Sequence, residues 1–322
     1  MCKRDIKTLI DFNNYIDLFI KSIYGEIVVM LENSKVIVDI DSCTTCEACA
    51  EECQFYHFDS GVMSFDDAME EYCIECGKCV AVCPVNAIQL KVHKEEILKD
   101  VPTKEELPSF DSLVKLVQSR RSRRQFKNKP VPKELIEKIF NLVGIYSPTG
   151  HNQENIFFTV VQDRETLNKL SEECTNQVTN LIKTFQDPQA RKTLETAFPP
   201  AMIKKIEEVL PSFKRNLKRI KQGKEIWHWD AEIIIIHTPK DALSALENCA
   251  LAACHIMLAA ETLGLGTCSL GYITAFFNQF KPVGKIVKLP LKHVAGYTLA
   301  IGYPKARYFR IPARKALKVN WL

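Results

Sequence analysis

The sequence predicts an α+β protein of two units, a small cysteine-rich unit followed by a larger one in which helices cover a central sheet. Its 322 residues exceed what one hydrophobic core usually holds. Eight of its thirteen cysteines fall between positions 43 and 83, which marks off a compact unit near the N-terminus. From residue 111 onward helical and strand patterns alternate, and that alternation indicates a sheet layered with helices.

Composition and charge exclude several classes of protein. With 46% hydrophobic and 25% charged residues the chain is typical of globular proteins. The net charge of +4 comes mostly from basic residues scattered among acidic ones, which argues against a nucleic-acid surface. Asp and Asn interrupt every apolar run of the first twenty residues, so neither a secretory leader nor a membrane span is predicted. We expect a cytoplasmic protein, whose reducing surroundings do not suit a disulfide framework.

The first unit is expected in three parts. Residues 1–37 form an N-terminal extension with a helix and a strand-like stretch, to which no function is assigned. Residues 38–95 hold both cysteine runs between short strands at 35–41 and 86–93. Residues 96–110 are charged, contain two prolines and suit a linker between domains.

The second unit, residues 111–322, is expected to alternate helices and strands. The hydrophobic patterns predict helices near 111–121 and 133–144, a strand at 155–161, polar helices over 164–222, a strand at 231–238, a buried helix at 247–263 and a last strand at 293–304. Strand order does not follow from these patterns.

The two cysteine runs read CTTCEACAEEC and CIECGKCVAVCP, and each has the spacing C-x2-C-x2-C-x3-C. Three closely spaced thiolates can hold three corners of one iron cube, while the fourth cysteine reaches the neighbouring cube. The expected ligand sets are Cys43, Cys46, Cys49 with Cys83, and Cys73, Cys76, Cys79 with Cys53. A pair of zinc knuckles is the alternative, although each run has twice the cysteines that half a zinc ribbon needs.

This segment resembles the bacterial two-cluster ferredoxin family. The resemblance implies two [4Fe-4S] clusters of low potential that transfer single electrons. Gln54 follows Cys53 where the family usually has proline, which alters the surroundings of that cluster but not its ligands. The other cysteines, Cys2, Cys174, Cys249, Cys254 and Cys268, show no paired spacing. Cys249 and Cys254 lie in an apolar helix and are expected to be small buried side chains.

Four stretches of the second unit carry polar or basic residues at predicted turns. SRRSRRQF at 119–126 suits a phosphate clamp, although a solvated basic face is the alternative. YSPTGHNQEN at 146–155 can reach the polar edge of a planar ring. LGLGTCSLGYI at 263–273 has glycines that admit a close ligand, and GYPKARYFRIPARK at 302–315 adds basic residues after a strand.

In this order the four stretches resemble the FMN-dependent nitroreductase family. The resemblance implies a nitroreductase-type α/β sandwich, a central sheet covered by helices, that binds FMN as a homodimer. It places the flavin phosphate on Arg120, Ser122 and Arg124, with Arg121 adjacent and Lys305 or Arg314 reaching it from the C-terminal side. It places the flavin ring and ribityl chain along Pro148, Thr149, Gly150 and Asn152, and the backbone of Leu270 and Gly271 near the reactive N5.

Three features of this chain leave alternatives open. Glu154, Asn155 and Ile156 replace the Gln-Pro-Trp that is common in the family, so contacts after Asn152 are undecided. Residues 171–229 correspond to the variable region that covers the substrate, and Trp227 and Trp229 either stack on substrate or pack in a core or dimer contact. His151 either donates a proton to substrate or faces water.

Together these features predict an iron–sulfur flavoprotein oxidoreductase. Single electrons from a carrier such as ferredoxin would pass through the clusters to FMN, which reduces a small planar acceptor of nitroaromatic or quinone type. No single side-chain acid is expected to be indispensable. The alternatives are an enzyme that uses NAD(P)H with the clusters as electron outlet, and a non-enzymatic electron carrier or redox sensor. No Ser-His-Asp set, P-loop or G-x-G-x-x-G after a strand is present.

Overall fold

The computed structural model describes residues 35–59, 62–93, 99–222 and 230–322. The chain divides into two units, residues 1–101 and 102–322, and the boundary falls inside the stretch 96–110. The predictions for most of the N-terminal extension, for Cys2 and for Trp227 and Trp229 lie outside the described residues.

The first unit consists of short elements around the cysteines. In chain order they are β1 (Val36–Val38), α1 (Ala48–Glu52), β2 (Tyr56–Asp59), β3 (Val62–Phe65), a 3-10 turn (Asp67–Tyr72), α2 (Lys78–Val82), β4 (Ile88–Leu90) and a 3-10 turn (Lys91–His93). β1 pairs antiparallel with β4, and β2 pairs antiparallel with β3. The strands at both ends of the unit, which the sequence predicts, are therefore partners in one small sheet.

The two halves of this unit repeat at a spacing of thirty residues. All four cysteines of the first run recur thirty positions later in the second. The backbone repeats as well, because Thr45 and Glu75 both have φ near 52°, and Glu47 and Gly77 have φ of 62° and 71° directly before α1 and α2. Left-handed backbone is uncommon outside glycine, so its recurrence shows that the two loops fold alike.

The second unit begins with helices and then alternates them with strands. Its elements are α3 (Phe110–Ser119), α4 (Lys133–Ile139) continued by a π turn (Phe140–Gly144), a 3-10 turn (Gly150–Asn152), β5 (Phe157–Val161), α5 (Arg164–Gln186), α6 (Pro188–Ala197), α7 (Pro200–Lys221), β6 (Glu232–Pro239), α8 (Ala245–Thr262), β7 (Gly266–Ser269), α9 (Gly271–Gln279), α10 (Lys281–Ile286) and β8 (His293–Gly302).

The four strands of the second unit form one antiparallel sheet in the order β5-β6-β8-β7. β6 lies inside it, and Ile233 to Ile236 are completely buried. Because successive strand residues point to opposite faces, these four isoleucines supply both faces of the sheet.

Helices cover both faces, which confirms the predicted sandwich. Ile234 and Ile236 pack with α4 and α8 on one face. Ile233 and Ile235 pack on the other face with α5, α7, α9 and α10. The strands at 155–161, 231–238 and 293–304 and the helix at 247–263 are all present, with ends shifted by two residues at most.

Helix α8 packs unusually close to β8. Cys249 of α8 is fully buried, and a Cβ added at Gly296 of β8 would lie 2.4 Å from its Cβ. Only glycine therefore permits this approach. Cys249 is buried as the sequence predicts, whereas Cys254 is exposed on the opposite side of the helix, which corrects the expectation for that residue.

Among the helices in the described ranges, none combines the length and apolarity needed to cross a bilayer.

Candidate functional site

Four cysteines from both runs line one recess in the first unit. Cys43, Cys46 and Cys49 face it from the first run and Cys83 faces it from the second, and Phe58 contributes to its wall. The set is the one predicted from the spacing for the first cluster.

The second predicted set has the same exposure pattern as the first. Cys46 and Cys76 are exposed, whereas Cys49 and Cys79 are buried. Cys53 from the first run lies near enough to Cys73 and Cys79 to act on both of them electrostatically. The fold therefore brings Cys83 to the first three cysteines of the first run, and Cys53 toward Cys73 and Cys79 of the second.

Burial makes isolated thiolates costly at these sites. It raises the pKa of Cys49, Cys73 and Cys79 above the ordinary value, because the charged form loses water. A bound metal supplies the compensating positive charge. Four thiols that line one recess are the donor set of an iron–sulfur cube.

Backbone N–H groups already point at the sulfurs. Thr45 N donates to Cys43 Sγ at 3.4 Å, and Ala87 N donates to Cys83 Sγ at 3.2 Å. Hydrogen bonds of this kind stabilise thiolate ligands and tune the group that they hold.

In the second unit the arginine-serine segment is fixed to the edge of the sheet. Ser122 forms a parallel bridge with Thr267 of β7, and Arg123 N donates to Thr267 O at 2.8 Å. Phe126 is 1% exposed and bridges Pro304, beyond the end of β8. The segment is therefore held between β7 and the chain that follows β8.

The neighbouring arginines have different surroundings. Arg123 is nearly buried, 3.8 Å from Glu261, and it donates to Ala306 O at 3.0 Å and lies on the ring of Tyr308. Its contacts hold the C-terminal chain in place. Arg121, Ser122 and Arg124 instead line an open recess of about 510 Å³, together with Arg307, Tyr308, Phe309, Arg310 and Pro312.

Cys268 connects the arginine-serine segment to the next predicted part of the site. Burial raises the pKa of this thiol, and Arg124, Arg120 and a hydrogen bond with Ser122 oppose that rise. The three residues predicted to hold a phosphate therefore gather around one sulfur. Guanidinium groups and a hydroxyl in this arrangement fit a phosphate group.

Leu270 and Gly271 follow on the same edge of the sheet. Leu270 N donates to Thr298 O at 2.9 Å, and a Cβ added at Gly271 would meet nothing within 4 Å. Since Ser122 pairs with Thr267, four residues of backbone separate the arginine-serine segment from Gly271. That span is about 14 Å at most.

The loop at 146–155 lies elsewhere, at the beginning of α8. Gly150 N donates to Asn248 Oδ1 at 3.1 Å, and Ser147 Oγ is 3.0 Å from His255 Nδ1. His151 and Asn152 are in left-handed backbone, at φ of 53° and 50°. The loop is thus sharply bent and presents Pro148, Thr149 and Asn152 at one end of the helix.

The Gly150 end of this loop is distant from the arginine-serine segment within one chain. Arg123 contacts Glu261 near the end of α8, whereas Gly150 contacts Asn248 near its beginning. Thirteen residues of helix correspond to about 20 Å. Ser147, at the other end of the loop, reaches farther along the helix to His255.

The basic residues of the C-terminal chain also separate. Arg307 and Arg310 line the recess, whereas Lys305 pairs with Asp230 at 3.3 Å and Arg314 lies exposed farther along the chain. The sequence marks this stretch as basic after a strand, but it does not show which side chains turn toward Arg121 and Arg124.

Comparison with known families gives two matches. The model described as "Nitroreductase family" matches residues 117–303, more than half of the chain. The model described as "4Fe-4S binding domain" matches residues 68–89, which include the second cysteine run but not the first. A search among curated proteins gives no match.

Solved structures of nitroreductases are similar to the second unit. An FMN-bound nitroreductase from Bacteroides fragilis shares 19% identity at a TM-score of 0.48, over 65% of this chain and 98% of its own. An FMN-bound nitroreductase from Desulfitobacterium hafniense shares 20% identity at a TM-score of 0.47, over 65% of this chain and 97% of its own.

Proposed function

Because the chain belongs to the nitroreductase family, we propose that it is an FMN oxidoreductase that also carries two [4Fe-4S] clusters and reduces a small planar acceptor. Nitroaromatics and quinones are the acceptor class. The observation that carries the proposal is the recess lined by Cys43, Cys46, Cys49 and Cys83, in a chain that also has the nitroreductase domain. When bound, FMN would take up single electrons and pass them on in pairs from N5.

Different groups of residues in the chain would contact different parts of FMN. Arg120, Ser122 and Arg124 would hold the phosphate, with Arg121, Arg307 and Arg310 around the same recess. The backbone at Leu270 and Gly271, on the same edge strand, would face the reactive side of the ring. Pro148, Thr149, Gly150 and Asn152 would contact the ring from a second chain, since in one chain they lie at the other end of α8.

Exposed apolar helix faces support a homodimer. α3 has no buried residue, and its Phe110 is 78% and Val117 52% exposed. Leu246, Leu251 and Cys254 are exposed on α8, which packs against α3. An amphipathic helix gains little unless its apolar face is covered. A second copy that covers these faces would also complete the flavin site.

Cluster content is the first experiment. Anaerobically purified protein should absorb broadly in the visible region, with flavin bands and about eight iron atoms per chain. Cys83→Ser should remove the cluster of the first set and lower the iron to about four, whereas Cys254→Ser, an exposed cysteine outside both sets, should leave it unchanged. Two zinc atoms without flavin would rule out the proposal.

The electron donor is the second question, and spectroscopy separates the alternatives. We propose a soluble one-electron carrier such as ferredoxin as donor. NADH, NADPH and reduced ferredoxin are added in turn under anaerobic conditions, and the absorption of flavin and clusters is followed. If NADH or NADPH alone bleached both the flavin and the cluster absorption at the rate of turnover, the nicotinamide would be the electron donor. The clusters would then carry electrons away from the flavin.

An electron carrier or redox sensor is distinguished by turnover. With excess donor, an enzyme consumes many equivalents of a nitroaromatic or quinone acceptor per flavin, whereas a carrier or sensor stops after its own electrons are spent. Failure to exceed one turnover with either acceptor class would favour the non-enzymatic alternative.

A further inference from the structure

The repeat within the first unit fails at two positions beside the cysteines. Thirty residues after Lys35 the chain has Phe65, and thirty residues after Tyr56 it has Asn86. The loops that hold the cysteines repeat closely in backbone and exposure. Lys35 is accompanied by Glu70 and Glu75, which stand where the first half has Ile40 and Thr45. Both Lys35 and Tyr56 lie next to cysteines of the second set.

Tyr56 places a buried hydroxyl among the sulfurs. The residue is 5% exposed, and its ring packs edge-on against Phe65 with 5.2 Å between ring centres. Tyr56 lies in one buried cluster with Cys49 and Cys79, and Cys53 packs against that cluster. In the described part of the chain its hydroxyl forms no hydrogen bond of normal geometry. A buried hydroxyl without a partner is costly, so a further acceptor at this point would satisfy it.

A tyrosine hydroxyl carries one proton that it can donate. The group is therefore a hydrogen-bond donor to any negative sulfur beside it. Asn86, at the equivalent place in the other half, is exposed to solvent.

Lys35 places a positive charge beside Cys73. Its Nζ donates to Cys73 O at 3.0 Å and lies 3.9 Å from Glu75 Oε1, and its backbone N donates to the Glu70 carboxylate. Residues 35–93 contain only three Lys or Arg against eleven Asp or Glu. A lysine held at the cysteine loop is thus an exception in an acidic unit.

We propose that Tyr56 and Lys35 make the two clusters unequal and give the cluster of the second set the higher reduction potential. The inference rests on the two-cluster arrangement proposed above. The second set comprises Cys53, Cys73, Cys76 and Cys79. Reduction by one electron adds one negative charge to the cluster, and a nearby donor or cation stabilises that charge.

The surroundings of the first set do not balance this effect. Cys83 of that set accepts a neutral N–H from Ala87 at 3.2 Å, which offsets the hydroxyl of Tyr56. The position equivalent to Lys35 holds the uncharged Phe65. The Lys35 ammonium lies nearer to Cys73 O, at 3.0 Å, than to its partner Glu75 Oε1, at 3.9 Å. The cation at the cysteine loop therefore decides the sign, and the first electron taken up would favour the second set.

A potentiometric titration of the anaerobic full-length holoprotein, followed by electron paramagnetic resonance and visible absorption, tests this inference. We expect two one-electron steps. At a fixed applied potential, Tyr56→Phe should lower the ratio of reduced to oxidised higher-potential cluster about tenfold. For a one-electron couple this corresponds to a reduction potential that is about 59 mV lower. Lys35→Met should shift the same cluster in the same direction, and Lys35→Arg should restore it.

Tyr72→Phe is the matched control, because Tyr72 precedes Cys73 but is 59% exposed. It should leave both potentials unchanged. Two clusters whose potentials do not respond to Tyr56→Phe or Lys35→Met, or a shift confined to the lower-potential cluster, would overturn the inference and leave the proposed function standing. Iron near four per chain with a single reduction step would overturn the two-cluster arrangement itself.

Discussion

At the scale of single residues, neighbouring side chains of the same type have different surroundings. Arg123 is held by Glu261 and Tyr308, while Arg124 beside it lines the open recess. Arg310 lines that recess, while Arg314 four residues later does not. Residue type alone therefore does not show which arginines face the recess, whereas their placement against the sheet edge does.

The contrast between Arg310 and Arg314 gives the first prediction. Arg310→Ala should weaken FMN binding about tenfold or more, because a charged hydrogen bond contributes about 1.5–3 kcal/mol. Arg314→Ala, an exposed residue of the same type, should change it less than about twofold. Flavin fluorescence titration of the apoprotein measures both. Weaker binding in Arg314→Ala alone would transfer the role to that residue.

A buried histidine pair gives the second prediction. His237 Nδ1 lies 2.8 Å from His293 Nδ1, and Thr159 Oγ1 is 3.0 Å from His237 Nε2. Burial first, and then the charge of His293, lower the pKa of His237 from 6.5 to about 4. Between these values the unfolded chain binds a proton that the folded chain does not, so acid favours unfolding.

The free energy of unfolding should therefore fall as the pH falls from 6.5 to 4. Protonation of His237 in the unfolded chain should account for about 3 kcal/mol of this loss at the lower pH. His237→Gln should remove that part of the pH dependence. His151→Gln, at an exposed histidine, should retain it. Denaturant unfolding across this pH range measures the difference, and equal pH dependence in wild type and His237→Gln would contradict the prediction.

At the scale of elements, the contact between α8 and β8 depends on one missing side chain. Gly296→Ala would place a Cβ 2.4 Å from the Cβ and 2.6 Å from the Sγ of Cys249. Helix and strand must then separate, and we expect a loss of about 1–3 kcal/mol in the free energy of unfolding. Gly271→Ala is the control because its Cβ would meet nothing within 4 Å. Denaturant unfolding of both variants measures the loss, and equal stability would contradict the packing argument.

Elements also differ in how readily their sequence reveals them. β6 and α8 have long apolar patterns, and both lie where the sequence places them. β7 is the four residues Gly266–Ser269, which have no such pattern and form a strand because β8 pairs with them. The hairpin of β2 and β3 mixes aromatic and polar residues, and it was not predicted either.

At the scale of the whole molecule, charge separates the two units. Residues 1–101 contain 9 Lys or Arg against 19 Asp or Glu, while residues 102–322 contain 34 against 20. The modest net charge of the chain conceals this difference. An acidic unit would disfavour the addition of electrons to the proposed clusters, whereas a basic unit favours the binding of an anionic cofactor.

The proposed homodimer gives the fourth prediction. Leu251→Asp places a charge on the exposed apolar face of α8 and should yield a monomer that binds FMN at least tenfold more weakly. Leu291→Asp, at a leucine that is 83% exposed away from α8, should stay dimeric. Light scattering gives the mass, expected at twice 36.7 kDa for the dimer. A monomeric Leu251→Asp variant with full FMN affinity would show that one chain completes the site.

The sequence by itself determined the features that depend on local spacing and periodicity. Eight cysteines in two identical runs define two candidate ligand sets, and apolar periods define the strands and helices of the sandwich. The tertiary structure decided which polar groups meet. Arg307 and Arg310 face the recess, Gly150 lies far from it, and Tyr56 lies among the sulfurs. These placements depend on contacts between segments that are distant in the chain, and no local pattern encodes such contacts.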